Sequence, residues 1–369
     1  MIYLDYNATT PIDKSVADAM LPYIHGNFGN PSSNHEYGIT ARKAVEAARE
    51  QVANLLDSKT TEIVFTSGGS ESNNMVIKGV AHTFRNKGNH IITSQIEHPA
   101  VLNPCKFLEK TGYEVTYLPV DRYGLISPLD VEKAITTRTV LVTIMHANNE
   151  TGTIQPITDI SAICRKKGIL FHTDAAQAVG KIPTRVNELG VDFLSVAGHK
   201  LYAPKGIGAL YIRDGVSIEP LIHGAGHENG RRAGTENVVF DVGLGRACQI
   251  AEASINDHTV RDLTTRFYGG LQSLFGGKIR LNGHPENRLP NTLFISFLGY
   301  TNDAVLKTLG PVAVSTGSAC HSGSTTISPV LKAMGMSTDE VSTAIRFSLG
   351  RFTTENEIEV VLNNLSTLG

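Results

Sequence analysis

Seven short apolar runs, each closing on small or polar residues, constrain this chain more than any other feature. They are EIVFTS (62–67), HIITS (90–94), EVTYLPV (114–120), TVLVTIM (139–145), ILFHTDA (169–175), DFLSVAG (192–198) and GALYIR (208–213). Helical patterns such as ESNNMVIKGVAHTFRNKG and PITDISAICRKKG separate the earlier ones. Near-continuous apolar strands alternating with helices predict an α/β fold with a mostly parallel seven-stranded sheet covered by helices on both faces. The last two runs are joined by a short connection, which predicts an antiparallel strand at one edge. Ligands of such open sheets bind beyond the carboxyl ends of the strands, so those ends are where chemistry is expected.

From about residue 236 the pattern changes. A long helical stretch leads to a smaller unit with strands in KIRLNG, NTLFISF and TAIRFSL and helices in DAVLKTLG, SPVLKAMG and ENEIEVVLNNLSTL. This second unit reads as a smaller α+β domain, and 369 residues suit two domains. Thirty-three basic against thirty-five acidic side chains give a net charge of −2, so nothing favours nucleic acid or an anionic membrane as partner. No stretch approaches the roughly 20 apolar residues of a membrane span. Cys105, Cys164, Cys248 and Cys320 are far apart, without CxxC or metal-ligand spacing, which favours free thiols and a reducing, cytoplasmic setting. The opening MIYLDYNATTP lacks the basic and apolar segments of a signal peptide.

Several strand ends are polar. SGGSES after the first run puts Gly69 and Ser70 where a helix start offers N–H groups to an anion, although a Gly-Ser turn capped by Ser70 is the plainer reading of the stretch alone. Asp174 stands at the end of the fifth run and Gln177 just after it, where an acid is ordinarily a helix cap but is also able to hold a proton on a ring nitrogen. Lys200 follows the sixth; a lysine seated at a buried strand end has a depressed pKa that suits a Schiff-base amine. His98 and Asn149 occupy further strand ends, where structural or turn roles are the plainer reading. Together these are the parts that pyridoxal phosphate requires. Cys320 sits in STGSACHSGS (315–324), a stretch with little apolar surface that reads as a mobile loop, the plainer alternative being a surface turn.

The blocks YLDYNATTP, GNPSSNHEYG, FTSGGSESNN, EHPAV, HANNETG, HTDAAQAVGK, GHKLYAPKGIGALY, RRAGTEN, GSACHSG and IRFSLGRFTT occur in the order found in cysteine desulfurases. The chain resembles that pyridoxal-phosphate-dependent family, related to class V aminotransferases, nearly end to end. The resemblance implies a type I transferase-like fold, with residues 15–250 as the cofactor-binding domain and 1–14 with 251–369 as the small domain carrying the Cys320 loop. It implies that Lys200 forms the internal aldimine and shuttles protons, that His98 stacks on the ring and assists, and that Asp174 pairs with the ring nitrogen. Gln177 would meet the phenolic oxygen, with Asn149 near both cofactor and substrate. Gly69, Ser70 and His199 would hold the phosphate, joined by Thr235 from a neighbouring subunit of a homodimer. Arg346 would clamp the carboxylate of L-cysteine.

Cys320 would then take the sulfur as a persulfide and pass it to an iron–sulfur scaffold or another sulfur acceptor, with brief ligation of a nascent cluster in the first case. Relatives carry serine in an SGHK block where this chain has Ala197, leaving the backbone or Ser195 to compensate. His321, where relatives carry threonine or serine, either lowers the Cys320 pKa or is a solvated loop residue. A selenocysteine lyase is the nearest rival reading, and a non-catalytic sulfur-delivery or scaffold partner is the rival of another class.

Overall fold

The computed structural model describes residues 1–321 and 324–368, without the side chains of 318–321, 324–327, 338 and 339. All seven apolar runs form strands: β1 (Ile63–Thr66), β2 (His90–Ser94), β3 (Glu114–Leu118), β4 (Thr139–Thr143), β5 (Leu170–Asp174), β6 (Phe193–Ala197) and β7 (Gly208–Ile212). They make one sheet in the order β1-β7-β6-β5-β4-β2-β3. Six strands run in the same direction, and β7 alone is antiparallel, to both β6 and β1. The antiparallel strand therefore lies one place in from the edge, and β1 is the edge strand. The short connection after β6 dictates that β7 turns back; only long-range pairing decides that β1 closes over its other side.

Successive side chains on these strands enter different cores, as a pleated strand buried on both faces requires. Ile63 and Phe65 join one apolar cluster while Val64 joins the other, and Ile92 and Ile91 divide in the same way. Helices cover each face. Helix α1 (Glu36–Leu56) and helix α4 (Val238–Ser254) pack on the first cluster, α2 (Gly69–Phe84) and α3 (Pro99–Glu109) on the second.

A separate apolar cluster holds Leu4 from the N-terminal segment with Phe267 of α5 (Thr259–Phe275), Phe297, Phe347 and Val361 of α6 (Glu355–Leu365). Its four-stranded antiparallel sheet joins β8 (Ile279–Asn282), β9 (Thr292–Phe297), β10 (Ser315–Thr316) and β13 (Ala344–Ser348) in the order β10-β13-β9-β8. The N-terminal strand Ile2–Tyr3 pairs in parallel with Val312–Ala313 beside it.

The stretch expected to be a loop around Cys320 instead includes paired backbone. β11 (Ser318–His321) runs antiparallel to β12 (Ser324–Ile327), with Cys320 opposite Thr325. Its polar composition hid this, because a run of small polar residues carries no apolar alternation to read. Among the described residues no helix is long and apolar enough to cross a membrane.

Candidate active site

The carboxyl ends of β1, β4, β5 and β6 surround a cleft of about 700 Å3, joined by the N-terminal segment 7–9 and by Arg346 of β13. Gly69, Ser70, His98, Asn149, Asp174, Gln177, His199, Lys200 and Arg346 all line it. Strand register explains the convergence. Asp174 pairs with Ser195 and Ala197 with Gly208, so the last residues of β5 and β6 reach the same rim. A side chain at Gly208 would bring its Cβ within 2.7 Å of the Gly68 Cα, and Gly68 itself has φ +143. Only glycines let β7 and the turn before α2 approach so closely.

That turn starts α2 without a side-chain cap: the N-cap is Gly68, not Ser70, which stands exposed on the cleft wall in the helix's first turn. The first N–H groups of α2 lack intrahelical acceptors and suit an anion. His199 lines the same cleft, its Nδ1 3.2 Å from Thr9 Oγ1, and burial together with Lys200, Lys205 and His98 lowers its pKa to about 4. Ser195 does not compensate for Ala197. It is buried in β6 with its Oγ 2.9 Å from His172 Nε2, while Ala197 faces the cleft.

Asp174 is fixed from two sides. Its Oδ2 accepts from Asn73 Nδ2 at 2.7 Å and its Oδ1 from the Ala176 N–H at 3.0 Å. The residues after it form turns rather than a helix, so it stabilises a turn instead of capping. His98 is the N-cap of α3, and its Nδ1 accepts the Ala100 N–H at 3.1 Å. In the neutral ring this leaves the proton on Nε2. Burial lowers the His98 pKa, opposed by Asp174 and assisted by Lys200.

Lys200 closes a short 3-10 turn after β6, and its Nζ donates to the carbonyls of Asn7 and, at 2.7 Å, Ala8. Burial and then Arg346 depress its pKa from 10.5 to about 8, against Asp5 and Asp174. Arg346 is almost fully buried; its Nη2 donates to Asp5 Oδ1 at 2.7 Å and Ser315 Oγ at 2.9 Å, and its Nη1 to Asn149 O at 2.9 Å. Its Nε is buried without a partner among the described residues. Gln177 Nε2 donates to Asn7 O at 2.9 Å.

One expected residue, Thr235, does not join this group. Thr235 lines an adjacent chamber of about 240 Å3, which shares Ser67, Gly206 and Ile207 with the cleft. The Cys320 and His321 side chains lie outside the described residues. The other three cysteines are buried in the apolar clusters, and burial raises the Cys105 and Cys164 thiols to about 12 and the Cys248 thiol further. Among the described residues no group of three His, Cys, Asp or Glu side chains is placed to hold a metal.

Sequence reasoning missed Asn7, Asn73, Asp5 and Lys181. Asn7 is 1% exposed and joins the N-terminal segment to Asn149, Gln177, Lys181, Lys200 and Asn291. The one local signal was the spacing of Lys181 four residues after Gln177; the remaining contacts are long-range.

The family model for aminotransferase class-V matches residues 2–361. A cysteine desulfurase IscS of Dictyoglomus turgidum is 49% identical, with all of this chain and 94% of that protein covered. One of Methanosarcina thermophila is also 49% identical, over 98% of this chain and 90% of that protein. Among solved structures, a NifS-like protein superposes with a TM-score of 0.92 at 40% identity, covering 99% of this chain and 98% of its own. SspA in complex with cysteine gives 0.85 at 41% identity, covering 96% and 100%. With this likeness spanning the whole chain and the cleft assembled at the expected strand ends, the chain belongs to the cysteine desulfurases of the class V aminotransferase family.

Proposed function

We propose that this chain converts L-cysteine to L-alanine with pyridoxal phosphate bound in the cleft, and that the sulfur passes to Cys320. The observation that carries the reading is Lys200: an amine with its pKa brought down to about 8 faces a cleft that also holds Asp174, Gln177 and Arg346. The cleft fits the cofactor. The uncapped start of α2 with Ser70 and His199 suits the phosphate, and Asp174, already held by Asn73, suits the ring nitrogen. His98 would stack on the ring, with Gln177 and Asn149 beside it. When bound, the cofactor withdraws electrons from the substrate's Cα, which allows the Cα proton and then the Cβ–S bond to be broken.

Lys200 would bond the cofactor aldehyde and, once released, move the Cα proton. Its low pKa supports both roles, since each needs the free amine near neutrality. Arg346 would meet the substrate carboxylate, sharing its guanidinium with Asp5. In the transfer, the Cβ–S bond breaks as an S–S bond forms to the Cys320 thiolate. The carbon side takes a proton and leaves as alanine, so L-cysteine plus thiol gives alanine plus persulfide. The inert settings of Cys105, Cys164 and Cys248 favour Cys320 as acceptor.

Thr235 lies outside this chain's own cleft, which supports its serving the cleft of a second copy in a homodimer. An iron–sulfur scaffold or similar acceptor is the expected destination of the persulfide. The test is anaerobic incubation of cofactor-loaded protein with L-cysteine, following alanine and mapping added sulfur by mass. Stoichiometric alanine with sulfur on Cys320 is expected; alanine without sulfur there would overturn the transfer step.

A further inference from the structure

The contacts around Gln177 decide which way its side-chain amide points. Lys181 Nζ donates to Gln177 Oε1 at 2.7 Å and to Asn7 Oδ1 at 3.0 Å. Gln177 Nε2 donates one N–H to Asn7 O, and Gln177 lines the cleft. The oxygen and nitrogen of an amide are distinguished by their partners. An ammonium has no acceptor to offer, so Gln177 must turn its oxygen towards Lys181 and its nitrogen away.

Asn7 is settled by the same logic. Its Oδ1 also receives Asn291 Nδ2 at 3.1 Å, while its Nδ2 donates to Thr292 Oγ1 at 2.9 Å and Asn149 O at 3.2 Å. One arrangement of the two amides satisfies every partner. Resting on the cofactor reading above, we infer that Lys181 is a positioning residue that locks the Gln177 amide with Nε2 on the cleft side, so that this wall can only donate to the cofactor's ring oxygen.

Among the described residues no carboxylate pairs with Lys181. Burial, with Lys200 and Arg346 adding positive charge, holds its pKa well below the usual lysine value. A small cavity on its other side is also lined by Asp257, His258, Arg261 and Arg351, none of which bonds to it among the described residues. A neutral amine keeps two N–H groups for the two oxygens but gains a lone pair, and in that state the Asn7 carbonyl, which can only accept, keeps Gln177 Nε2 in place.

The test is a pH titration of the visible absorbance of the cofactor-loaded protein, comparing wild type with Lys181→Met, Gln177→Leu and the double variant. Donation from Gln177 favours the anionic ring oxygen, so its loss raises the titration midpoint. Lys181→Met is expected to raise it by about one pH unit, the tenfold worth of one good hydrogen bond. Gln177→Leu should do the same, and the double variant no more than either single change. An unmoved midpoint in Lys181→Met, or shifts that sum in the double variant, would overturn the inference.

If Lys181→Met does not fold, Gln177→Glu supplies the test. It keeps an oxygen for Lys181 but presents an acceptor to the cleft, so its midpoint should lie above that of Gln177→Leu. A wild-type midpoint there rejects the lock. A wild-type protein that binds pyridoxal phosphate without any visible band rejects the cofactor reading, and this inference with it.

Discussion

The cleft and the chamber next to it share three lining residues yet are built on opposite terms. In the cleft, ionisable groups meet partners within the chain: Asp174 with Asn73, Arg346 with Asp5, Lys200 with two carbonyls. The chamber carries Glu228, Glu236 and Asp241 on its wall. Glu228 is answered bidentately by Arg49, at 2.6 and 2.9 Å, and accepts the Phe65 N–H at 3.0 Å. Asp241 Oδ2 and Glu236 Oε2 are buried with no partner among the described residues. Glu228 on the chamber wall also has a left-handed backbone, at φ 49. The carboxylates of the cleft are held by partners of the same chain, Asp174 by Asn73 and Glu71 by Arg232. The chamber, with the Asp241 carboxylate buried and unanswered, favours the protonated form of that group when alone, or becomes complete when another surface covers it.

That contrast is most severely tested at Lys200. Lys200→Ala should abolish the visible cofactor band and lower turnover by about 10⁴-fold, the upper end of what a positioned proton-transfer group contributes. Retained turnover in a steady-state assay would remove the cleft from the chemistry. Arg49→Met comes next. It strands the Glu228 carboxylate in the interior and should cost about 3–5 kcal/mol in a denaturant titration.

Asp241→Asn sharpens the comparison from the chamber side. Burial, then Glu228, raises the Asp241 pKa well above 3.8. Between 3.8 and that raised value the folded chain keeps a proton that the unfolded chain has lost, so this group's contribution to stability falls as pH rises. Asn carries no such penalty. An isolated subunit with Asp241→Asn should therefore gain about 1 kcal/mol at neutral pH, and the gain should vanish below about pH 4. A loss of stability in the homodimer proposed above would mean that its second surface brings a cation to Asp241. The smallest effect is expected at Asp5→Asn. Asp5 raises the Lys200 pKa, so its removal should move the midpoint for aldehyde capture by the cofactor-free chain below about 8. An upward move would contradict the charge arrangement of the cleft.

Strand existence was legible because an apolar run buried on both faces is a local property of the chain. All seven runs of the central sheet are strands. The place of β7 was not legible, since a short connection tells the chain to turn back but not which distant strand it will also meet. The β11–β12 pairing was missed for the opposite reason: small polar residues carry no apolar period to read. At the site, Lys200, Asp174 and Gln177 announced themselves by following strands. Asn7 and Asp5 did not, because their partners, Lys200 and Arg346, lie 193 and 341 residues away in sequence.

The amino-acid sequence by itself determined the central strands, the family blocks and the residue types at the rim, because each depends on neighbours along the chain. Only the tertiary structure decided that Thr235 stands in a different chamber, that Ser195 turns to His172, and that Lys181 and Asn7 hold Gln177 from behind. Those outcomes depend on which distant polar groups are buried together, and a buried donor or acceptor takes whichever partner the packing brings within reach.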